Sequence, residues 1–359
     1  MKKTPLYNLH KSLNAKITSF GGYLMPIQYD SLIKEHITVR NNLGVFDVSH
    51  MGEFKISGSN AIDLLQYVCS NDISKIPIGK AQYNCFPNEV GGIVDDLIVY
   101  RLDDKDYMLV VNASNVKKDW DHISKNNKSF GAKIKDDSDQ TALLSIQGPQ
   151  ALEAMQSLTD FNLNSLPYYG HTVASFAGFQ NVIIATTGYT GAGGLEIYFR
   201  SDHAIKIWDS VIDAGSSKGI KPIGLGARDS LRIEMGYCLY GNEIDDTISP
   251  IAAGLGWISK PETKFINCEN IERQKLSGTE DKLIGFVIDG KAIPRKGYEI
   301  VDKYNNKIGR VTSGTMSPIL RKGIGLGYIK VDFSSPKTKI GVIIRDKFWA
   351  AKVVKTPFI

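Results

Sequence analysis

Apolar positions along this chain alternate with polar ones in some stretches and recur at helical spacing in others, and the most informative stretch is Gly91 to Tyr100. Its sequence, Gly-Gly-Ile-Val-Asp-Asp-Leu-Ile-Val-Tyr, reads as a turn followed by a strand. Successive strand side chains point to opposite faces, so Val94, Asp96, Ile98 and Tyr100 share one side and Ile93, Asp95, Leu97 and Val99 the other. Each face is therefore apolar apart from one Asp. An ionised carboxylate on an apolar face costs several kcal/mol unless it meets donors or a cavity. The pattern thus predicts that at least one of the two is held for a purpose; the bland alternative is that one caps the Gly-Gly turn and the other points to solvent at a sheet rim.

Elsewhere the pattern predicts a mixed chain. Thr4-Pro5 reads as a helix start, hydroxyl at the N-cap and Pro at the first position, and Ser31 reads as the cap of a second helix carrying Ile33, Ile37 and Arg40. From Glu53 to about Lys135 the order is strand, helix (59–68), strand (81–86), the Asp-Asp strand, strand (107–112), helix (115–124) and a last strand near Ala132. Helices returning to a mostly antiparallel sheet indicate an α+β module of ferredoxin-like type. Asn112 and Asn115 form a polar pair at a sheet end, and Asn115 reads as a helix cap. Beyond Thr141 come a strand, a helix opened by Gly148-Pro149, strands near 172–177, 182–186 and 195–200, and a helix from His203 to Ala214. From Lys282 onward short alternating strands split by turn residues predict a small β-barrel or jelly-roll-like domain.

The glycine-rich stretch Thr187-Gly188-Tyr189-Thr190-Gly191-Ala192-Gly193-Gly194 is not a dinucleotide loop, because it leads into the strand Leu195 to Phe199 and not into a helix. It is a hairpin turn, and Glu196 just beyond it is a further carboxylate between apolar neighbours. Arg228, in Gly224-Leu225-Gly226-Ala227-Arg228-Asp229, sits near a helix start against the helix dipole, so a partner carboxylate or an anionic ligand is expected beside it.

Composition then narrows the classes. A chain of 359 residues exceeds one ordinary hydrophobic core, and 42% hydrophobic with 23% charged residues is that of a globular protein. A net charge of +5 spread along the chain suits an anionic small molecule or an acidic partner and does not argue for nucleic acid. The four cysteines form no CxxC pair and read as reduced thiols, so a cytoplasmic location is expected. No apolar run reaches membrane-span length, and Met1-Lys2-Lys3 leads directly into foldable sequence. HExxH, zinc-spaced His/Cys, P-loop and GxSxG patterns are missing, so no metal site is expected. Isolated carboxylates, one Arg, several Tyr and a Trp near turns suit a flat polar heterocycle with an anionic tail.

Taken in order, Thr4 to Tyr7, Met25 to Tyr29, Phe46 to Gly52, Gly91 to Tyr100, Gly188 to Gly191, Gly224 to Asp229, Leu239 to Gly241, Gly254 to Trp257 and Pro294 to Tyr298 resemble the aminomethyltransferase (T-protein) family of the glycine cleavage system. The resemblance implies a three-domain α+β cloverleaf around a central folate channel. Its first domain would be discontinuous (1–52 plus 137–275), the ferredoxin-like insertion would span 53–136, and a β-rich domain would cover 276–359. It implies Asp96 as the catalytic carboxylate, Glu196 as the pterin-holding acid and Arg228 as a contact to substrate or to another carboxylate. Tyr83, Met51, Asn112, Tyr189 and Trp257 fall where the family lines its channel.

The reaction so implied moves an aminomethyl carbon from the lipoyl sulfur of the carrier H-protein to tetrahydrofolate, giving 5,10-methylenetetrahydrofolate, ammonia and the dihydrolipoyl carrier. Loss of ammonia leaves a cationic carbon, which a fixed carboxylate shielded from water would steady. This chain departs from the family pattern at Ala192, Gly193 and Ala252, where acids are usual, and at Tyr23 and Leu24. The alternatives are a tetrahydrofolate-dependent demethylase or methyltransferase for a small sulfonium or N-methyl compound, and a non-enzymatic folate-binding protein of iron-sulfur maintenance. The latter depends on a Lys-Gly before the Cys that this chain lacks ahead of Cys238.

Overall fold

The computed structural model describes residues 1–359 and has a mixed α+β fold divided into two units. The first holds residues 1–65, 73–84 and 97–228, and the second 66–72, 85–96 and 229–359.

In the first unit a six-stranded sheet is ordered His171–Phe176, Phe179–Ala185, Gly194–Arg200, Thr141–Gln147, Gly44–Asp47 and Lys221–Pro222. Its central strands are rich in Ile, Leu and Phe, residues that fit a pleated surface. Leu144, Ile146, Ile184, Leu195, Ile197 and Phe199 pack with Ala154, Met155, Trp208 and Val211 of the helices Ala151–Met155 and Ala204–Gly215 into one buried cluster. Burying each large side chain contributes roughly 1.5–3 kcal/mol.

A five-stranded sheet follows the order Lys80–Pro87, Ile93–Asp103, Asp106–Val111, Gly52–Ser57 and Lys133–Asp136. Its helices are Ala61–Val68 and Val116–Asn127, the spans the sequence predicts to within a few residues. Asn115 stands at the N-cap of the second, yet its side chain makes no capping hydrogen bond, contrary to expectation.

Two other caps also differ from expectation. The Thr4 hydroxyl donates to Asp47 Oδ2 at 2.6 Å, and the helix it was to cap is Tyr7–Ser12. Ser31 stands at the N-cap of the helix Leu32–Asn41 and its carbonyl accepts the Glu35 amide, but its hydroxyl makes no capping bond. Glu35 serves that corner instead, its Oε1 accepting from the amides of Tyr29 and Asp30 and its Oε2 from the amide of Gly224. A buried carboxylate makes a better acceptor than a hydroxyl, and three amides offset its desolvation.

The second unit contains a closed six-stranded barrel, which decides between the predicted barrel and jelly roll. In its strand Asp281–Ile288 the alternate residues Ile284, Phe286 and Ile288 are buried and join Ile300, Val311, Ile329, Ile340, Val342 and Val353 in the barrel core. Arg232 is fully buried, donating from Nε to Asp229, from one terminal nitrogen to Glu243 Oε2 and the Tyr237 carbonyl, and from the other to Ser313 Oγ. No helix of the chain is long and apolar enough to cross a membrane.

Candidate active site

Asp95 and Asp96 lie at the end of a tightly held turn in the second unit. The cap is Asn88, whose Oδ1 accepts from the amides of Val90 and Gly92 and whose Nδ2 donates to the Asp246 carbonyl. Gly92 is required by close approach: a Cβ there would stand 1.8 Å from the Asp246 carbonyl oxygen. Beyond it the Ile93 amide donates to the Asp245 carbonyl at 3.0 Å and the Tyr240 hydroxyl donates to the Ile93 carbonyl at 3.0 Å. The strand therefore leaves the turn in one fixed direction. Asp95 is fully buried and Asp96 half-buried.

Two buried thiols neighbour Asp96. Burial pushes the Cys85 thiol up to about 12, with the charges of Asp96 and Asp95 adding to the effect and the Ser70 hydroxyl opposing it. Burial, then the charges of Glu243 and Asp96, pushes Cys238 well above its ordinary value. Both thiols are therefore neutral at physiological pH. Trp257, in the short turn Gly256–Ile258 of the same unit, is 63% exposed, an unusual position for a large aromatic ring.

The first unit holds the other predicted residues. Glu196 sits on Gly194–Arg200 opposite Ser145 and Ala185, 6% exposed. Its Oε2 accepts the Thr187 hydroxyl at 2.6 Å. Thr187 Oγ1 is 2.9 Å from the Tyr100 hydroxyl, which is 2.8 Å from that of Tyr198. The turn before Glu196 is built on Gln147, whose Nε2 donates to the Thr187 carbonyl and whose Oε1 accepts from Thr190. Gly188 passes so close that an added Cβ would lie 2.1 Å from Gln147 Oε1. Arg40 completes the loop by donating to the Thr190 carbonyl.

Arg228 lies in the first turn of Leu225–Met235 with its guanidinium 4.7 Å from the centroid of the Tyr189 ring, so two predicted residues meet as a cation–π pair. Its charge also reaches His50. Burial and then that charge push the imidazole down to about 4, so His50 is neutral at physiological pH. The His50 ring is met edge-on by Phe20 and Tyr23. Met51 and Asn112 are brought close by strand pairing, since Gly52 and Val111 are register partners and these residues come next on each chain. Tyr83 lies on Lys80–Pro87. Met51, Tyr83, Asn112, Tyr189 and Arg228 are all half-buried, reachable from solvent yet shielded.

The residue pattern did not single out Gln147, Thr187, Tyr198 or Glu53, whereas the Ser49-His50-Met51 stretch between strands reads from sequence as a site wall. Glu53 is buried with neither carboxyl oxygen bonded, and burial followed by the charges of Asp136 and Asp137 raises it well above the usual carboxylate range. The available signal for Glu53 was an acid in the strand Gly52–Ser57 beside His50-Met51; for Thr187 there was none, because a Thr entering a turn is common. No group of three or more His, Cys, Asp or Glu is placed to hold a metal ion.

Comparison with known proteins agrees along the whole chain. Residues 6–263 match the family model described as the GCVT N-terminal domain, and residues 282–359 match the glycine cleavage T-protein C-terminal barrel domain. The chain is 55% identical to an aminomethyltransferase of Bacteroides fragilis, covering 100% of this chain and 99% of that one. It is 54% identical to an aminomethyltransferase of Flavobacterium psychrophilum at the same coverage. It superposes on the crystal structure of glycine cleavage system aminomethyltransferase T from Bartonella henselae with a TM-score of 0.94 at 32% identity, covering 100% of this chain and 98% of that one. A barrel closing the C-terminal region, the Gly-Gly-Ile-Val-Asp-Asp strand and full-length identity above half together place this chain in the aminomethyltransferase (T-protein) family of the glycine cleavage system.

Proposed function

We propose that this enzyme transfers the aminomethyl carbon from the lipoyl sulfur of a carrier H-protein to tetrahydrofolate, producing 5,10-methylenetetrahydrofolate, ammonia and the dihydrolipoyl carrier. The observation that carries the reading is Glu196, a buried carboxylate with one hydroxyl on Oε2 and acceptor capacity left over. A pterin presents an amino group and ring N–H donors side by side, which a carboxylate accepts two at a time. Reduced folate supplies the nucleophilic nitrogens that take up the carbon.

Asp96 is assigned to steady the positive charge that develops on that carbon as ammonia leaves. Its support is a half-buried position whose charge acts on two buried, protonated thiols, where a charge interaction is stronger than in water. Tyr189 and Arg228, paired as cation and ring, are assigned with Met51, Tyr83 and Asn112 to the walls that hold the folate. The four buried free cysteines suit a reducing compartment, and we place the reaction in the cytoplasm.

The test is formation of methylenetetrahydrofolate from aminomethylated, lipoylated carrier and tetrahydrofolate. Product formed only with the carrier supports the reading. Turnover of free sulfonium or N-methyl compounds, with none from the carrier, would replace it.

A further inference from the structure

We infer that Tyr198, Tyr100 and Thr187 form a one-way chain of hydroxyl groups that fixes the Glu196 carboxylate for ligand binding, making Thr187 and Tyr100 positioning residues for the acceptor. This rests on the assignment of Glu196 to the pterin.

Direction follows from counting protons. Thr187 has one hydroxyl proton and gives it to Glu196 Oε2 across 2.6 Å. Its oxygen is then only an acceptor toward Tyr100, 2.9 Å away, so the Tyr100 proton points at Thr187. Tyr100 in turn only accepts from Tyr198 at 2.8 Å. All four side chains are buried, between 0% and 6% exposed, so water does not compete for these protons. Burial pushes both phenols well above their ordinary range, which keeps each of them a donor. Hydroxyls in series polarise one another in a medium of low dielectric, strengthening the terminal bond.

A Glu side chain needs such help because its last torsion is broad and two-fold, leaving the carboxylate plane undefined. Glu196 is reached from two directions. Its backbone is fixed in the sheet opposite Ser145 and Ala185, and its Oε2 is fixed from the turn by Thr187. Thr187 is fixed in turn through its own carbonyl by Gln147. The remaining acceptor positions of the carboxylate therefore face one direction before ligand arrives, which lowers the ordering cost of binding.

The experiment compares the full-length enzyme with Thr187→Val, Thr187→Ser, Tyr100→Phe and the Thr187→Val/Tyr100→Phe double variant. Tetrahydrofolate Kd is read by calorimetry, and turnover is read at saturating folate. Thr187→Val keeps the shape and loses the donor; it should weaken binding by about tenfold, the effect of one hydrogen bond to a carboxylate, with kcat changed less than about threefold. Thr187→Ser should restore binding to within about twofold, and the double variant should bind no more weakly than Thr187→Val, because both changes cut one chain. Wild-type affinity in Thr187→Val, failure of Ser to rescue, or multiplied losses in the double variant would each overturn the inference. If the wild type itself does not bind tetrahydrofolate, or Glu196→Gln binds as tightly as wild type, the assignment of Glu196 fails instead.

Discussion

His10 Nε2 lies 2.8 Å from Asp47 Oδ2, and both side chains are fully shielded from solvent. The same oxygen accepts the Thr4 hydroxyl, Asp47 Oδ1 accepts the Ser49 amide, and the other ring nitrogen of His10 is 2.8 Å from the Tyr29 hydroxyl. Burial alone would raise the Asp47 carboxyl, but the His10 bond and charge, Thr4 and Ser49 together hold it below its ordinary value of 3.8. A carboxylate lowered in the native state stabilises the fold fully above its ordinary value, and that contribution fades as pH falls through 3.8 toward the lower native value. Asp47→Ala should cost roughly 3–5 kcal/mol at neutral pH by leaving buried partners unpaired. Denaturant titration at pH 7 checks this, and a loss below 1 kcal/mol would mean that the pair contributes little.

His50 has the same sign of proton linkage as Asp47 but acts in a higher pH range. Its folded value is about 4 against 6.5 unfolded, so between these limits the unfolded chain binds a proton that the native protein excludes. Stability should therefore be indifferent to His50 above pH 6.5 and decline from there to pH 4, by about 3 kcal/mol in total. In His50→Gln this part of the decline should vanish. Parallel stability curves for wild type and variant would show that His50 takes up its proton in the folded state.

Asp96→Asn retains size and loses charge. Tetrahydrofolate binding should stay within about threefold while turnover drops by about two orders of magnitude or more, the scale of losing one electrostatic group aimed at developing charge. Equal turnover by the variant would remove Asp96 from the chemistry.

Gly92→Ala places a methyl group where the Asp246 carbonyl already stands, with backbone on both sides of the clash. The turn must then move, and Asp95 and Asp96 with it. A midpoint fall of several degrees, corresponding to roughly 1–3 kcal/mol, is expected together with loss of activity. An active, fully stable Gly92→Ala protein would show that the contact with Asp246 does not hold the strand.

All four cysteines are buried, and burial raises the thiols of Cys69, Cys85 and Cys238. The thiolate is the reactive form, so native protein at pH 8 should resist alkylation and react at four sites only after unfolding. Rapid native labelling at Cys85 or Cys238 would contradict a dry environment beside Asp96.

Period and turn chemistry determined much of this protein without coordinates. Alternation located most strands of the five-stranded sheet, the strand after the 187–194 stretch excluded a dinucleotide loop, and the Asp-Asp strand stood out as a pair of carboxylates among apolar neighbours, because each depends on neighbours along the chain. Tertiary structure decided what depends on residues far apart in sequence. Asn88 holds the turn before the Asp-Asp strand and reaches Asp246 across 158 positions, Thr4 serves Asp47 and not its own helix, and Thr187 meets Tyr100 across 87 positions. A hydroxyl or amide takes whichever buried acceptor folding brings within 3 Å, and local sequence carries no record of that choice.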